Sequence, residues 1–151
     1  MSRVQLALNV SNLDEAIEFY SKFFKTEPAK VRPGYANFAI DEPPLKLVLI
    51  QNEEVPGSLN HLGVEVFSVD DVTDATTYLA SVGLSTRVEE NTTCCYAVQD
   101  KVWVEGVDGA PWEIYTVLDD ANSSDLAGDE LCCVPASTKG TPESTSLARC
   151  C

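Results

Sequence analysis

An internal repeat constrains this chain more than any other feature. Gln5-Leu6-Ala7-Leu8-Asn9-Val10 is echoed 56 residues later by His61-Leu62-Gly63-Val64-Glu65-Val66. Both are short strand-like segments, and each runs into a helix-start signal. Asn12 can cap a helix with Glu15 three residues on, and Ser68 can do the same with Asp71. Behind the first cap, Leu13, Ala16, Ile17, Tyr20, Phe23 and Phe24 recur at helical period. Val69, Val72, Thr76 and Leu79 repeat the stripe more weakly, and Gly83 is a stop signal.

Three strand-like segments follow each helix. In the first half they are Thr26–Arg32, Tyr35–Ile40 and Leu45–Gln51, with turns at Pro33-Gly34 and Asp41-Glu42-Pro43-Pro44. In the second they are Ser85–Glu90, then Cys95–Gln99 running on through Lys101–Glu105, and Trp112–Leu118, with Asp108-Gly109 as the last turn. Each half therefore reads βαβββ. The expectation is an α+β domain over residues 1–118, built of tandem βαβββ modules at 1–56 and 57–118 that bend side by side into an open half-barrel cup. From Asp119 to Cys151 the chain turns rich in Ser, Thr, Asp, Gly and Pro, which reads as a flexible, acidic, cysteine-containing C-terminal tail.

Charge narrows the partners. Against 10 basic residues stand 24 acidic ones, a formal charge of -14 on 151 residues. Such a surface repels phosphate backbones and anionic membranes, so neither nucleic acid nor a membrane is expected as a partner. No apolar run approaches the roughly 20 residues needed to span a bilayer. Met1-Ser2-Arg3 leads straight into the first strand without the apolar core of a signal peptide, so the expected location is cytoplasmic.

His61, the one histidine of the chain, opens the second module where Gln5 opens the first. Glu113 lies in the otherwise apolar strand Trp112-Glu113-Ile114-Tyr115-Thr116-Val117, with Tyr115 and Val117 on its own face. If the first and last strands of the modules line the cup, Gln5, His61 and Glu113 converge. An imidazole nitrogen, a carboxylate and an amide oxygen suit a borderline divalent ion and leave it at net +1, with positions open for further ligands. The rival readings are a satisfied, half-buried histidine at His61 and a solvent-facing carboxylate at Glu113, and Gln5 stands out only through its repeat equivalence with His61.

The six cysteines form three adjacent pairs, Cys94-Cys95, Cys132-Cys133 and Cys150-Cys151. Neighbouring cysteines close a strained ring as a disulfide, so in a reducing cytosol each pair reads as two thiols near one spot, which suits a soft ion or metalloid; the rival reading is a pair with no role, and it is the favoured one for Cys132-Cys133 and Cys150-Cys151.

The duplicated βαβββ pattern, the histidine opening the second module and Asp108-Gly109-Ala110-Pro111-Trp112-Glu113 closing it resemble the vicinal oxygen chelate superfamily of glyoxalase I, extradiol dioxygenases and fosfomycin-resistance proteins. The resemblance covers residues 1–118 and implies Gln5, His61 and Glu113 as metal ligands. Leu45-Lys46-Leu47-Val48-Leu49-Ile50 supplies no carboxylate, which departs from the four-ligand glyoxalase I pattern. Asn91-Thr92-Thr93-Cys94-Cys95-Tyr96-Ala97 and Gln99-Asp100-Lys101-Val102-Trp103 are similar to the organoarsenical carbon–arsenic bond lyases and their cadmium-induced relatives. That resemblance implies an Fe(II)- and dioxygen-dependent lyase acting on trivalent methyl- or arylarsenicals. Cys94 and Cys95 would hold the arsenic, and Lys101 would act in catalysis by stabilising a reduced oxygen species, although a hairpin lysine is by default solvated. Tyr96, Trp103 and Tyr115 would wall the pocket or belong to the core. Two other readings stand beside this one: a non-catalytic cadmium or arsenite binder that uses the cysteine pairs, and another glyoxalase-like or thiol-transfer enzyme of the superfamily. Exposed sheet edges leave room for a homodimer.

Overall fold

A computed structural model of the chain describes residues 2–94 and 96–120. Cys95, Cys132-Cys133, Cys150-Cys151 and the tail from residue 121 on lie outside the described residues.

The elements run β1 (Arg3–Val10), α1 (Leu13–Phe24), β2 (Lys30–Arg32), β3 (Tyr35–Ile40), β4 (Leu45–Gln51), β5 (Leu59–Glu65), α2 (Val69–Ser81), β6 (Thr86–Cys94), β7 (Ala97–Glu105) and β8 (Pro111–Asp120), with a 3-10 turn at Val107–Gly109 before the last strand. This is the expected α+β pattern of two βαβββ units. Their strands join in one mixed sheet of eight, ordered β2-β3-β4-β1-β5-β8-β7-β6, which curls into a half-barrel. The order is symmetric about its centre. There β1 and β5 lie antiparallel, and each is flanked by the parallel last strand of its own module, β4 beside β1 and β8 beside β5.

Both helices start as their caps dictate. Asn12 accepts from the Asp14 and Glu15 backbone amides at 3.0 and 3.2 Å, and Ser68 accepts from that of Asp71 at 3.1 Å. Each cap satisfies donors that the first turn would otherwise leave open, worth about 1 kcal/mol. Helix α1 ends at Lys25 in the left-handed region, and the second helical segment stops before Gly83, which has φ 81°.

Strand alternation then sorts the side chains between two faces. On the convex face Leu6, Leu8 and Val10 meet Ala36, Phe38 and Ile40, Leu47 and Leu49, and the apolar side of α1 through Leu13, Ala16, Ile17, Tyr20 and Phe24. Phe23, expected in that stripe, instead points outward and is 66% exposed. Phe38 and Leu49 are fully buried there, and truncating Phe38 to alanine would cost about 3–5 kcal/mol. Helix α2 covers β6, β7 and β8 in the same way. The concave face carries the alternate residues of β1, β5, β7 and β8, and the polar ones collect there. Among the described residues no helix is long and apolar enough to cross a membrane.

Several strand bounds shift by one or two residues from expectation, with β8 running on to Asp120, and two shift by more than two residues for physical reasons. Strand β2 begins at Lys30 rather than Thr26, because Pro28 in the preceding stretch has no amide to give a ladder. Strand β6 runs through Asn91-Thr92-Thr93 to Cys94, and a register shift between Glu89 and Thr92 lets the ladder continue. Cys94 therefore ends β6 with its backbone opposite Ala97, where β7 begins.

Candidate metal centre

The repeat brings its three singled-out residues to one point. Gln5 on β1, His61 on β5 and Glu113 on β8 all face the concave side, and Gln5 and Glu113 both neighbour Gly63 in the strand registers. Gln5 is 4% exposed, and His61 and Glu113 are each 2% exposed. The Gln5 Nε2 amide donates to Glu113 Oε1 at 2.7 Å and lies 3.1 Å from His61 Nε2; His61 Nε2 and Glu113 Oε1 are 3.4 Å apart. A side chain at position 63 would crowd this point, since an added Cβ would sit 3.1 Å from Glu113 Cγ and 3.4 Å from Gln5 Cβ.

Lys101 on β7 completes the group. It is fully buried, not solvated as a hairpin lysine would be, and its Nζ donates to Glu113 Oε2 at 3.0 Å. Burial alone would push the Glu113 carboxyl pKa up. The Lys101 charge, and that of His61 whenever its ring is protonated, outweigh burial and hold it down to about 2. The ammonium also sits 5.4 Å from the Trp103 ring centre, and Trp103 stands edge-on to the His61 ring.

The donor set fits a divalent cation. An imidazole nitrogen and a carboxylate oxygen face each other across 3.4 Å, and the amide of Gln5 is the group that reaches both. Among the described residues no three His, Cys, Asp or Glu side chains gather, so the amide is the only third donor near this pair that the repeat identifies. For its oxygen to ligate, the Gln5 amide must turn over, and Tyr115 permits this. Its hydroxyl donates to Gln5 Oε1, and a phenol oxygen can equally accept from the turned amide nitrogen.

Sequence reasoning left Tyr115 between pocket wall and core. It is core by burial yet bonded to the site, and its place on the Glu113 face was the available signal. Missed altogether was Asn60, whose Oδ1 lies 2.7 Å from His61 Nδ1. Also missed was a second charged group on the same face, where Glu65 pairs with Arg3 and, at 3.0 Å, with Lys46. Burial works to raise the Glu65 pKa, but these two cations outweigh it and keep the carboxyl below its usual range.

Just before β7, Tyr96 reaches from the second module to the first. Tyr96 packs its ring 5.9 Å from that of Tyr35, joins a cluster of Ala7, Val48 and Ile50, and donates its hydroxyl to the Pro33 carbonyl at 3.3 Å. Lys30 donates to the Tyr96 carbonyl at 3.4 Å and pairs with Asp120. Ala7 in turn faces His61 across the β1–β5 ladder, so the ring that follows Cys95 in sequence packs beside a residue opposite the histidine. The Cys94 side chain and all of Cys95 lie outside what the structure describes.

Comparison with known proteins agrees with this architecture. The family model for the Glyoxalase/Bleomycin resistance protein/Dioxygenase superfamily matches residues 3–114. The chain is 55% identical over 152 residues to a protein of Thermomonospora curvata named trivalent organoarsenical cleaving enzyme, a match covering 100% of each chain. It is 59% identical over 123 residues to the cadmium-induced protein CadI of Mycobacterium bovis, covering 82% of this chain and 81% of that one. Among solved structures, an extradiol ring-cleaving dioxygenase from B. fuscum superposes with a TM-score of 0.59 at 19% identity, over 83% of this chain and 35% of that chain, a likeness of fold. The tandem βαβββ sheet and the family match over nearly all of it lead to one assignment: the chain belongs to the Glyoxalase/Bleomycin resistance protein/Dioxygenase superfamily, with relatives named for organoarsenical cleavage and for cadmium induction.

Proposed function

We propose that this protein cleaves the carbon–arsenic bond of trivalent organoarsenicals, releasing inorganic arsenite, with Fe(II) held by Gln5, His61 and Glu113 and with dioxygen as co-substrate. The observation that carries the reading is the 55% identity, over the full length of both chains, to a protein named trivalent organoarsenical cleaving enzyme. The buried Gln5–His61–Glu113 group supports the metal part of it, because those donor types suit a borderline ion. When bound, the metal would supply dioxygen activation at positions the protein leaves open.

The chain's own residues would do the rest. Methylarsenite carries two exchangeable As–O bonds; replacing both with As–S bonds to Cys94 and Cys95 releases two waters and leaves the As–C bond intact. Bound in this way, the arsenic turns its organic group relative to the concave face, which is catalysis by proximity. Tyr96, seated on Tyr35 beside Ala7, supports a hairpin end held close to the site. Lys101 places a buried positive charge against Glu113 and would offset negative charge developing beside it, the catalytic role proposed for it. A cytoplasmic setting that keeps both thiols reduced belongs to the same reading, as does a homodimer through the exposed sheet edges.

Single variants test the dithiolate role. Cys94→Ser and Cys95→Ser are each expected to abolish turnover of methylarsenite while divalent-metal binding stays at the wild-type level. Full activity in both would remove the cysteines from the reaction. Stoichiometric binding of arsenite or cadmium by wild-type protein that is insensitive to Gln5→Ala and Glu113→Ala, and that consumes no oxygen, would replace the enzyme by a sequestering protein.

A further inference from the structure

Asn60 is the extra residue of a β-bulge. The β1–β5 register runs from Arg3↔Glu65 to Ala7↔His61 and then skips to Leu8↔Leu59. In an unbroken strand Asn60 and His61 would point to opposite faces; a bulge re-aims one of them. Here the Asn60 side chain reaches His61 Nδ1, with Oδ1 at 2.7 Å. Behind it the polar chain continues. Asn60 Nδ2 donates to Asn9 Oδ1 at 3.0 Å, Asn9 Nδ2 donates to Ser58 Oγ at 2.8 Å, and the Ser58 hydroxyl donates to the Val55 carbonyl at 2.6 Å.

The last member sets the direction of every proton in this chain. A backbone carbonyl can only accept, so Ser58 spends its one proton on Val55 and offers Asn9 a lone pair. Asn9 must then present its amino group to Ser58 and its oxygen to Asn60. Asn60 presents its amino group to Asn9, and its oxygen is what remains to face the imidazole. The nearer acceptor draws the ring proton: Asn60 Oδ1 stands 2.7 Å from Nδ1, within hydrogen-bond distance, while Glu113 Oε1 is 3.4 Å from Nε2. Nε2 is left with its lone pair on the side of Gln5 Nε2, 3.1 Å away, which is itself a donor. Free neutral histidine in water favours the opposite form, with the proton on Nε2.

We infer that Asn60, oriented by Asn9 and Ser58, is a positioning residue that fixes His61 as the Nδ1–H tautomer and turns its Nε2 lone pair toward Gln5 and Glu113. The use of that lone pair as a metal donor rests on the function proposed above; the tautomer itself does not. Ligating histidines are commonly oriented by such a partner on the far nitrogen, and its loss costs about 10- to 100-fold in metal affinity.

His61 is the only histidine in the sequence, so ring-nitrogen NMR of tag-free, 15N-histidine-labelled protein reads this one residue. In metal-free wild-type protein, at a pH where the ring is neutral, Nδ1 is expected to give the protonated-type signal and Nε2 the unprotonated one. Asn60→Ala and Ser58→Ala should each move the ring toward the Nε2–H form, while Asn60→Asp, which offers Nδ1 only acceptors, should keep the wild-type pattern. Cobalt(II) titration of Asn60→Ala should show an affinity about 10- to 100-fold lower. Should Asn60→Ala fail to fold by circular dichroism, Ser58→Ala carries the test from outside the strands. A protonated Nε2 in the wild-type protein would overturn the inference, as would an unchanged Nδ1–H signal in folded Ser58→Ala and Asn60→Ala. Wild-type protein that shows the Nδ1–H form but binds no cobalt(II) upholds the tautomer and removes the metal reading instead.

Discussion

Val48 stands in the first module where Glu113 stands in the second. Across β1 and β4, Ala7 faces Val48; 56 residues on in the repeat, across β5 and β8, Gly63 faces Glu113. The two-fold pattern that joins Gln5 to His61 therefore carries a carboxylate on one side and a buried isopropyl group on the other. This asymmetry leaves the proposed centre with three candidate donors and an apolar wall where a symmetric site would have a fourth.

Replacing that wall tests the asymmetry. Val48→Glu is expected to tighten zinc(II) binding about tenfold by adding a carboxylate donor, and to destabilise the metal-free protein, which must then bury a charge without a partner. Calorimetric titration and urea unfolding with and without zinc(II) read the two effects separately. Unchanged zinc affinity in a folded variant would mean that position 48 does not look onto the centre.

Gly63 is needed for the absence of its side chain. With Glu113 Cγ only 3.1 Å from where a Cβ would stand, Gly63→Ala must displace the carboxylate by a few tenths of an ångström. The variant should fold and lose about tenfold or more in divalent-metal affinity, because donors slightly out of place bind poorly. Competition with a chromogenic chelator measures it.

Lys101 and Glu113 form a buried pair whose removal from one side should be costly. Lys101→Met is expected to lower the stability of the metal-free protein by about 3–5 kcal/mol at neutral pH, since Glu113 keeps its charge and loses its main partner. The sign of the pH dependence follows from the low Glu113 pKa of about 2. A depressed folded-state pKa stabilises the wild type fully above the unfolded carboxylate value of about 4.3, and the contribution fades as pH falls from there toward about 2. In Lys101→Met burial dominates and the carboxyl rises, so the gap to wild type should narrow as pH falls. Saturating zinc(II) should restore part of the loss at pH 7. Chemical unfolding at several pH values, with and without zinc(II), measures all three.

A second acid-sensitive contribution is independent of the metal. Glu65 bonds Arg3 and Lys46, and its pKa lies below the usual range despite burial. Glu65→Gln should cost about 1–3 kcal/mol at pH 7. Its difference from wild type should shrink once pH falls below about 4.3 and through the depressed folded-state value. Urea midpoints at pH 7 and in mild acid check it.

Much of this was legible in the chain because repeats are read by position. Gln5 is an unremarkable strand glutamine until the 56-residue offset sets it beside His61, and the antiparallel β1–β5 centre follows from the same offset. The strands Tyr35–Ile40 and Leu45–Gln51 match expectation residue for residue, since Pro, Gly and Asp mark their ends. Asn60 was not legible. Period-two alternation assigns it to the face opposite His61, and only the bulge, which no local residue announces, brings it round. Lys101 was visible as a residue but not as a buried one. Its partner Glu113 is 12 residues away, on a strand whose register sequence alone does not fix.

Carbon–arsenic bond cleavage is tested by following arsenic through many turnovers. Reduced, Fe(II)-loaded protein would be incubated with methylarsenite, with and without dioxygen, and arsenic speciation followed by chromatography. Inorganic arsenite in excess of enzyme is expected, formed only when iron and dioxygen are both present. Methylarsenite bound but unchanged in aerobic samples, with iron confirmed in the protein, would contradict the cleavage.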